Sequence, residues 1–257
     1  MRVTVLTENT SAHGLPYEHG LSLYIEAVGK KILFDTGQSG LFADNAQRLG
    51  IDLAAVDFAV ISHGHYDHGG GISRFLEINN SAPVYLNAHA FGDYFNADDR
   101  YIGLDKGLKD SGRIVLTDCA VGLAQGVSLH PADEIPTVID MGSAGLTMEQ
   151  AGKKLPDDFR HEQYLIIVEN GRRILFSGCA HKGIINITDR FRPDIVFGGF
   201  HFMKMPLSLE LRGYAERLDS YNAVYYTCHC TGPEQYGFIK PYIDNMRYIS
   251  AGDIIEI

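Results

Sequence analysis

The run Ile61-Ser62-His63-Gly64-His65-Tyr66-Asp67-His68-Gly69-Gly70-Gly71 places three imidazoles and one carboxylate within six residues. Nitrogen and carboxylate donors of this kind suit zinc, iron or manganese. His63 and His65 are two apart, so an extended segment would carry both rings on one side. Asp67 would continue that side, and His68 would turn away as the chain bends. So short a loop does not comfortably wrap all four donors around one ion. Two ions could share them, His63 and His65 on the first, Asp67 and His68 on the second, with the missing ligands supplied from farther along the chain. Asp67 could also hold a nucleophile. The alternative is a polar surface loop with incidental histidines, but Asp and His rarely recur at this density without a metal or catalytic task.

The elements around the cluster position it. Phe58 to Ile61 reads as a buried strand, and the glycines that follow read as a turn into a helix. The donors then sit at the carboxyl end of a strand, where open α/β sheets usually place their sites. Two later stretches repeat this order of apolar strand, small residues and histidine: Ile174-Leu175-Phe176-Ser177-Gly178-Cys179-Ala180-His181 and Val224-Tyr225-Tyr226-Thr227-Cys228-His229. His181 and His229 are therefore read as the distal ligands, against the plainer reading of hydrogen-bonded loop histidines. The Cys179 thiolate would favour zinc if it ligates; it is read in preference as a bystander packed beneath His181. His201 follows another strand and could hold substrate or donate a proton. Asp35 ends a strand and could orient His63 or His65 from behind, or serve as a turn cap. His13, His89 and His130 have no ligand context and are read as surface or packing residues.

Elsewhere the chain alternates strands and helices. Val3–Leu6, Leu21–Val28, Lys31–Phe34, Pro83–Leu86, Ile114–Thr117, Val127–Leu129 and Ile135–Ile139 read as strands. So do Tyr164–Val168, Arg173–Phe176, Ile195–Phe197 and Val224–Tyr226, with Tyr248–Ile257 closing the second sheet. Helices are expected over Leu41–Leu49, Ile72–Ile78, Ile184–Phe191, Leu207–Leu218 and Pro233–Ile239. Residues 88–112 and 141–160 read as lid-like insertions, because long loops in compact domains are usually functional or disordered. No linker or repeat array appears, so residues 1–257 read as one domain.

The pattern His-x-His-x-Asp-His, after an apolar strand and before glycines, resembles the signature of the metallo-β-lactamase superfamily. Glu18-His19-Gly20-Leu21-Ser22, Leu33-Phe34-Asp35-Thr36-Gly37, Gly178-Cys179-Ala180-His181, Gly199-Phe200-His201 and His229-Cys230-Thr231-Gly232 narrow the resemblance. Together they are similar to a branch of dihydropterin-ribofuranosyl-aminobenzene phosphate synthases and metal-dependent hydrolases. The resemblance spans essentially the whole chain. It implies an α/β (α+β) fold, a four-layer αββα sandwich with a one- or two-metal site on the edge of its sheets. It implies two divalent ions, zinc foremost with iron or manganese as alternatives. Many members carry an aspartate that bridges the metals where this chain has Cys179, and others place a metal-binding histidine where His161 stands, in competition with His181. Glu8, Asn9 and His19 lie in a loop near the mouth of this fold and become candidate substrate residues.

The function this reading favours is a binuclear hydrolase directing a metal-bound hydroxide at a small phosphate-bearing or ester substrate, with Asp67 and His201 as catalytic groups. One alternative is pterin-methyl transfer, with Tyr94, Phe95 and Tyr101 stacking the pterin. Another is a non-catalytic metal-binding sensor, which would close its site with protein ligands. The superfamily signature speaks poorly to substrate.

Composition narrows the field further. The chain has 257 residues, 45% of them hydrophobic and 21% charged, with net charge −10 and a pI of about 5.5. An acidic chain without a Lys/Arg run is a poor nucleic-acid binder. The four cysteines form no CxxC pair, which suits a reducing cytoplasm. No signal peptide and no transmembrane stretch are expected. The expected partner is a small-molecule substrate, and nothing in the pattern fixes an oligomeric state.

Overall fold

The computed structural model describes residues 1–257. It begins with β1 (Arg2–Thr7), β2 (Ser22–Ala27), β3 (Lys30–Phe34), α1 (Leu41–Arg48), β4 (Phe58–Val60), α2 (Tyr66–Gly69), α3 (Ile72–Ile78), β5 (Val84–Asn87), β6 (Asp93–Phe95) and β7 (Ile114–Thr117). It continues with β8 (Val121–Ala124), β9 (Val127–Pro131), β10 (Thr147–Gln150), β11 (Lys153–Pro156), β12 (Gln163–Glu169), β13 (Arg172–Phe176) and α4 (Ile184–Phe191). The last elements are β14 (Ile195–Gly198), α5 (Leu209–Asp219), β15 (Val224–Thr227), α6 (Pro233–Ile239), β16 (Met246–Tyr248) and β17 (Ile254–Glu256). Two seven-stranded sheets form, in the orders β17-β1-β2-β3-β4-β5-β7 and β16-β15-β14-β13-β12-β9-β8.

Alternation along the strands sorts their apolar side chains into separate cores, because successive residues point to opposite faces. Ile32, Phe34 and Val60 from the first sheet meet Leu165, Ile174, Phe176 and Phe197 from the second. Their neighbours Leu33 and Ala59 point the other way and pack on Phe42 of α1 and Phe75 of α3. In the second sheet Leu175, Val196 and Tyr225 likewise pack on Ile184 of α4, Leu211 of α5 and Ile239 of α6. A core between the sheets and one outside each sheet make four layers, helix–sheet–sheet–helix, which is the expected sandwich.

Three expectations about elements fail. Ile135–Ile139 forms no strand; the amides of Val138 and Ile139 both donate to Asn186 Oδ1 in α4, which ties this segment to a helix instead of a ladder. The stretch Tyr248–Ile257 does not close the second sheet as a unit. β16 ends at Tyr248 on the edge of that sheet, whereas β17 crosses to pair antiparallel with β1 in the first. The two segments read as long loops carry strands: β6 pairs with β10 and β10 with β11, giving a small three-stranded sheet of their own. No helix is long and apolar enough to cross a membrane.

Candidate metal centre

Parallel pairing brings the candidate donors together. β3 and β4 run parallel, as do β13, β14 and β15, so their carboxyl ends share an edge of each sheet. Asp35 follows β3, Ser62 to His65 follow β4, Cys179 and His181 follow β13, and His229 follows β15. Gly178 permits the junction of the two sheets here, since a Cβ on it would run into the Ser62 side chain. The loop after β4 is not extended throughout. Asp67 and His68 ride on the helical turn α2, which starts at Tyr66, ahead of the glycines. The two residues therefore diverge around a helix axis, rather than by a bend after an extended run.

One carboxylate orients two of the rings. Asp35 is fully buried, with a left-handed φ of 60°. Its Oδ1 accepts the Ser62 amide at 2.6 Å, and its Oδ2 accepts the Ser62 hydroxyl at 2.8 Å and His68 Nδ1 at 2.7 Å. With its proton committed to Asp35, Ser62 Oγ is left to accept His63 Nδ1 at 2.8 Å. Both imidazoles are thereby held as Nδ1–H tautomers with Nε2 facing the site. Asp35 acts on His63 through Ser62 and on His68 directly; His65, the other ring it was read as orienting, receives no hydrogen bond from it.

The polar loop after β1 organises the opposite side. Asn9 Oδ1 accepts the Gly20 amide at 3.1 Å and His229 Nδ1 at 2.8 Å. Its amide nitrogen then faces His19 Nδ1 at 3.3 Å, which leaves the His19 proton on Nε2, 3.2 Å from Asp67 Oδ2. Glu8 is fully buried and saturated: its oxygens accept the His229 amide, the Tyr248 hydroxyl, the Thr10 amide and the Thr10 hydroxyl. The reading of Glu8 and Asn9 as substrate residues therefore gives way to a positioning role, because their polar atoms are spent on fixing His229 and His19. His19 is about half exposed and lines the cavity described below.

His161 and His181 separate cleanly. The Gly64 amide donates to His161 Nδ1 at 3.0 Å, and its Nε2 reaches Asp157 Oδ2 at 3.1 Å, so neither nitrogen is left for an ion. Neither nitrogen of buried His181 has any hydrogen-bond partner, and the same holds for His63 Nε2 and His65 Nε2. The His181 ring stacks on Phe159 at 4.5 Å, and its backbone amide is held by Glu162 Oε1 at 2.9 Å. Cys179 Sγ lies 3.2 Å from His68 Nε2 and belongs to three compact donor groups, one with His63 and His181, one with His68 and His229, and one with His201 and Cys230. His68 Nε2 and His229 Nε2 approach to 3.2 Å, and His229 Nε2 lies 3.3 Å from Asp67 Oδ2.

Burial and neighbours set the charge states. Burial, reinforced by the surrounding imidazoles, holds His63 and His181 well below the usual histidine range, and burial takes His65 to about 4. These rings are neutral, the form that ligates. Burial works against ionising Asp67, but His68 and the bonds from His19 and His229 outweigh it and keep the carboxyl well below its usual range. Burial also disfavours charge on His68, yet Asp67 and Asp35 push it up to about 9. The hydrogen bond to Asp67 raises His19.

The cluster opens into a cavity of about 480 Å³ lined by His19, His65, Asp67, His181, His201 and His229 among others. Apolar walls come from Met141, Leu146, Phe200, Met203 and Met205, and Lys204 stands at the lining. Tyr94, Phe95 and Tyr101 do not line it: Tyr94 lies against His161 with ring centroids 3.9 Å apart, and Phe95 pairs with Tyr101. Sequence reading passed over Ser62 as an orienting group, as well as Cys230, Glu162 and Lys204. Cys230 carried a signal in its position beside His229; Lys204 and Glu162 carried none.

The metallo-beta-lactamase superfamily profile matches residues 16–226. The chain belongs to that superfamily. Full-length similarity extends to two proteins of Methanocaldococcus jannaschii. One is the uncharacterized protein MJ0448, 28% identical over 267 residues and covering 99% of this chain and 100% of that protein. The other is its 7,8-dihydropterin-6-methyl-4-(beta-D-ribofuranosyl)-aminobenzene-5'-phosphate synthase, 27% identical over 285 residues and covering 100% of this chain and 96% of the synthase. Among solved structures, Tm1679, described as a metal-dependent hydrolase of the beta-lactamase superfamily, superposes with a TM-score of 0.85 at 28% identity. That match covers 100% of this chain and 99% of Tm1679.

Proposed function

We propose that this protein is a binuclear metal-dependent hydrolase acting on a small anionic substrate, a phosphoester or other ester. The observation that carries this reading is a buried set of histidine, aspartate and cysteine donors, three of its rings with unpartnered nitrogens, that opens on a cavity of substrate size. Unpartnered nitrogens at such depth are costly unless an ion satisfies them, so the donor set fits divalent metal. His63, His65 and His181 would hold one ion and Asp67, His68 and His229 the other, with Cys179 between; the thiolate favours zinc. When bound, the ions supply Lewis acidity and lower the pKa of a coordinated water toward neutrality.

The chain's own residues do the rest. Asp35, Ser62 and Asn9 fix which nitrogen of the His63, His68 and His229 rings faces the site. His19 donates to Asp67 Oδ2 and holds that carboxylate ionised and oriented. His201 lines the cavity with its Nδ1 unpartnered, placed to pass a proton to a leaving group. Lys204 supplies positive charge for the substrate's anion, and the methionine-rich wall excludes water around its apolar body. The open cavity argues against a closed sensor site.

A transferase reading keeps one observation in its favour, the end-to-end similarity to the dihydropterin synthase. Stacking by Tyr94, Phe95 and Tyr101 does not support it, since those rings lie outside the cavity; Tyr66 and Phe200 are the aromatic residues that line it. The test is a panel of phosphomonoesters, phosphodiesters and thioesters assayed with the protein and its His65→Ala/His68→Ala variant. Turnover that vanishes in the variant together with bound metal is the expected result. Undiminished turnover in the variant would sink the reading, and no hydrolysis alongside tight binding of a reduced pterin would favour the transferase.

A further inference from the structure

Beside the proposed centre lies a second donor set, one that the centre does not use up. Cys179 Sγ, Cys230 Sγ and a ring nitrogen of His201 all lie within 4.8 Å of one another. Cys179 and Cys230 are only 3% and 6% exposed, and both are free thiols. The backbone is built to bring them here. His201 holds a left-handed φ of 57°, a conformation uncommon outside glycine, and its amide donates to Cys230 Sγ at 3.3 Å. Gly199 leaves room for the sulfur, since a side chain at that position would overlap Cys230 Sγ. His201 Nδ1 is buried with no hydrogen-bond partner. As a donor the Cys230 thiol makes only a long contact, 3.6 Å, to the Cys179 carbonyl. All three side chains line the cavity, so an ion can enter from solvent.

We propose that Cys179, His201 and Cys230 form a third, soft metal position that takes a thiophilic ion such as zinc, cadmium or copper(I), joined to the main centre through the Cys179 sulfur. Two thiolates and an imidazole are the donor chemistry such ions prefer. A tetrahedral ion about 2.1–2.3 Å from its donors sets them roughly 3.6 Å apart, so a modest contraction of the present cluster suffices. The position leaves a vertex open toward the cavity. Occupation would also take the His201 ring away from its proposed proton-donor task, so a thiophilic ion in excess would inhibit turnover.

The test counts ions without substrate, which separates it from the fate of the hydrolase reading. The protein is saturated with zinc, desalted, exposed to cadmium, desalted again and analysed for total metal, with thiolate-to-cadmium charge-transfer absorption followed in parallel. Wild type is expected to retain one ion more than Cys230→Ser, with greater charge-transfer intensity, while the variant keeps the metal content of the main centre. His201→Asn, measured alongside, is expected to weaken the same extra ion. Equal metal content in wild type and both variants would overturn the proposal, as would an extra ion that persists in both.

Discussion

Asp35→Asn is the most informative single substitution, because it changes hydrogen-bond polarity while leaving shape almost unchanged. Asparagine tolerates the left-handed backbone that Asp35 occupies at φ 60°, so the loop should survive. The side-chain carbonyl would stay on the Ser62 amide, now 2.6 Å from Oδ1. An NH2 group would then replace the Oδ2 that accepts from Ser62 Oγ and His68 Nδ1. As a donor, it forces His68 Nδ1 to accept, which moves that ring's proton to Nε2, the nitrogen facing the site. It also turns the Ser62 hydroxyl round to donate to His63 Nδ1, which moves the second ring's proton inward as well. One atom exchange thus blocks a proposed ligand of each ion. Removing a group that orients a ligand typically costs 10–100-fold in metal affinity, about 1.4–2.7 kcal/mol, and here both ions should lose that much. Titration against a chromophoric chelator measures both constants. Ser62→Ala serves as the internal control: it cuts the relay to His63 but leaves the direct bond to His68, so only one ion should weaken. Affinities within threefold of wild type for both ions in Asp35→Asn would refute the relay, and equal losses at both ions in Ser62→Ala would refute its branching.

Three further outcomes follow from the same geometry. His181→Ala should lose one bound ion by metal analysis, whereas His161→Ala should keep the ion count and instead destabilise the fold by about 2–3 kcal/mol in chemical denaturation, because it orphans the Gly64 amide and Asp157. Glu8→Gln should cost a similar ~2–3 kcal/mol, since its new NH2 group must face donors from His229 and Tyr248 or from Thr10; unchanged stability would contradict the positioning role. In the metal-free protein His68 carries a proton up to about pH 9, and it must shed that proton to ligate. Metal loading at neutral pH should therefore release protons, and affinity should climb as pH rises toward that value. Calorimetry in two buffers of different ionisation enthalpy reads this directly, and a buffer-independent enthalpy would count against it.

Much of this was legible in the chain because the donors are local. His63 to His68 form one contiguous run, and His181 and His229 repeat the same order of apolar strand, small residues and histidine. Parallel strands then deliver all of them to one edge. What escaped was whatever depends on pairing at a distance. β6 is short, half-buried and unpatterned, and it becomes a strand only because β10 lies beside it. β17 looks like the natural end of the second sheet, yet its partner is the first strand of the chain. His161 and His181 are indistinguishable as letters, and only the Gly64 amide and Asp157 show that His161 is already spent. Glu8 and Asn9 read as polar loop residues, while their hydrogen bonds to His229 are a fact of three dimensions.

The central claim is that turnover depends on ions held by this cluster. The direct measurement is hydrolysis of the best panel substrate as a function of metal bound per chain, starting from protein stripped by chelation. The expected result is no activity in the stripped protein and a rise with added zinc that levels off as two ions bind. Hydrolysis that persists undiminished with the metal fully removed would contradict it.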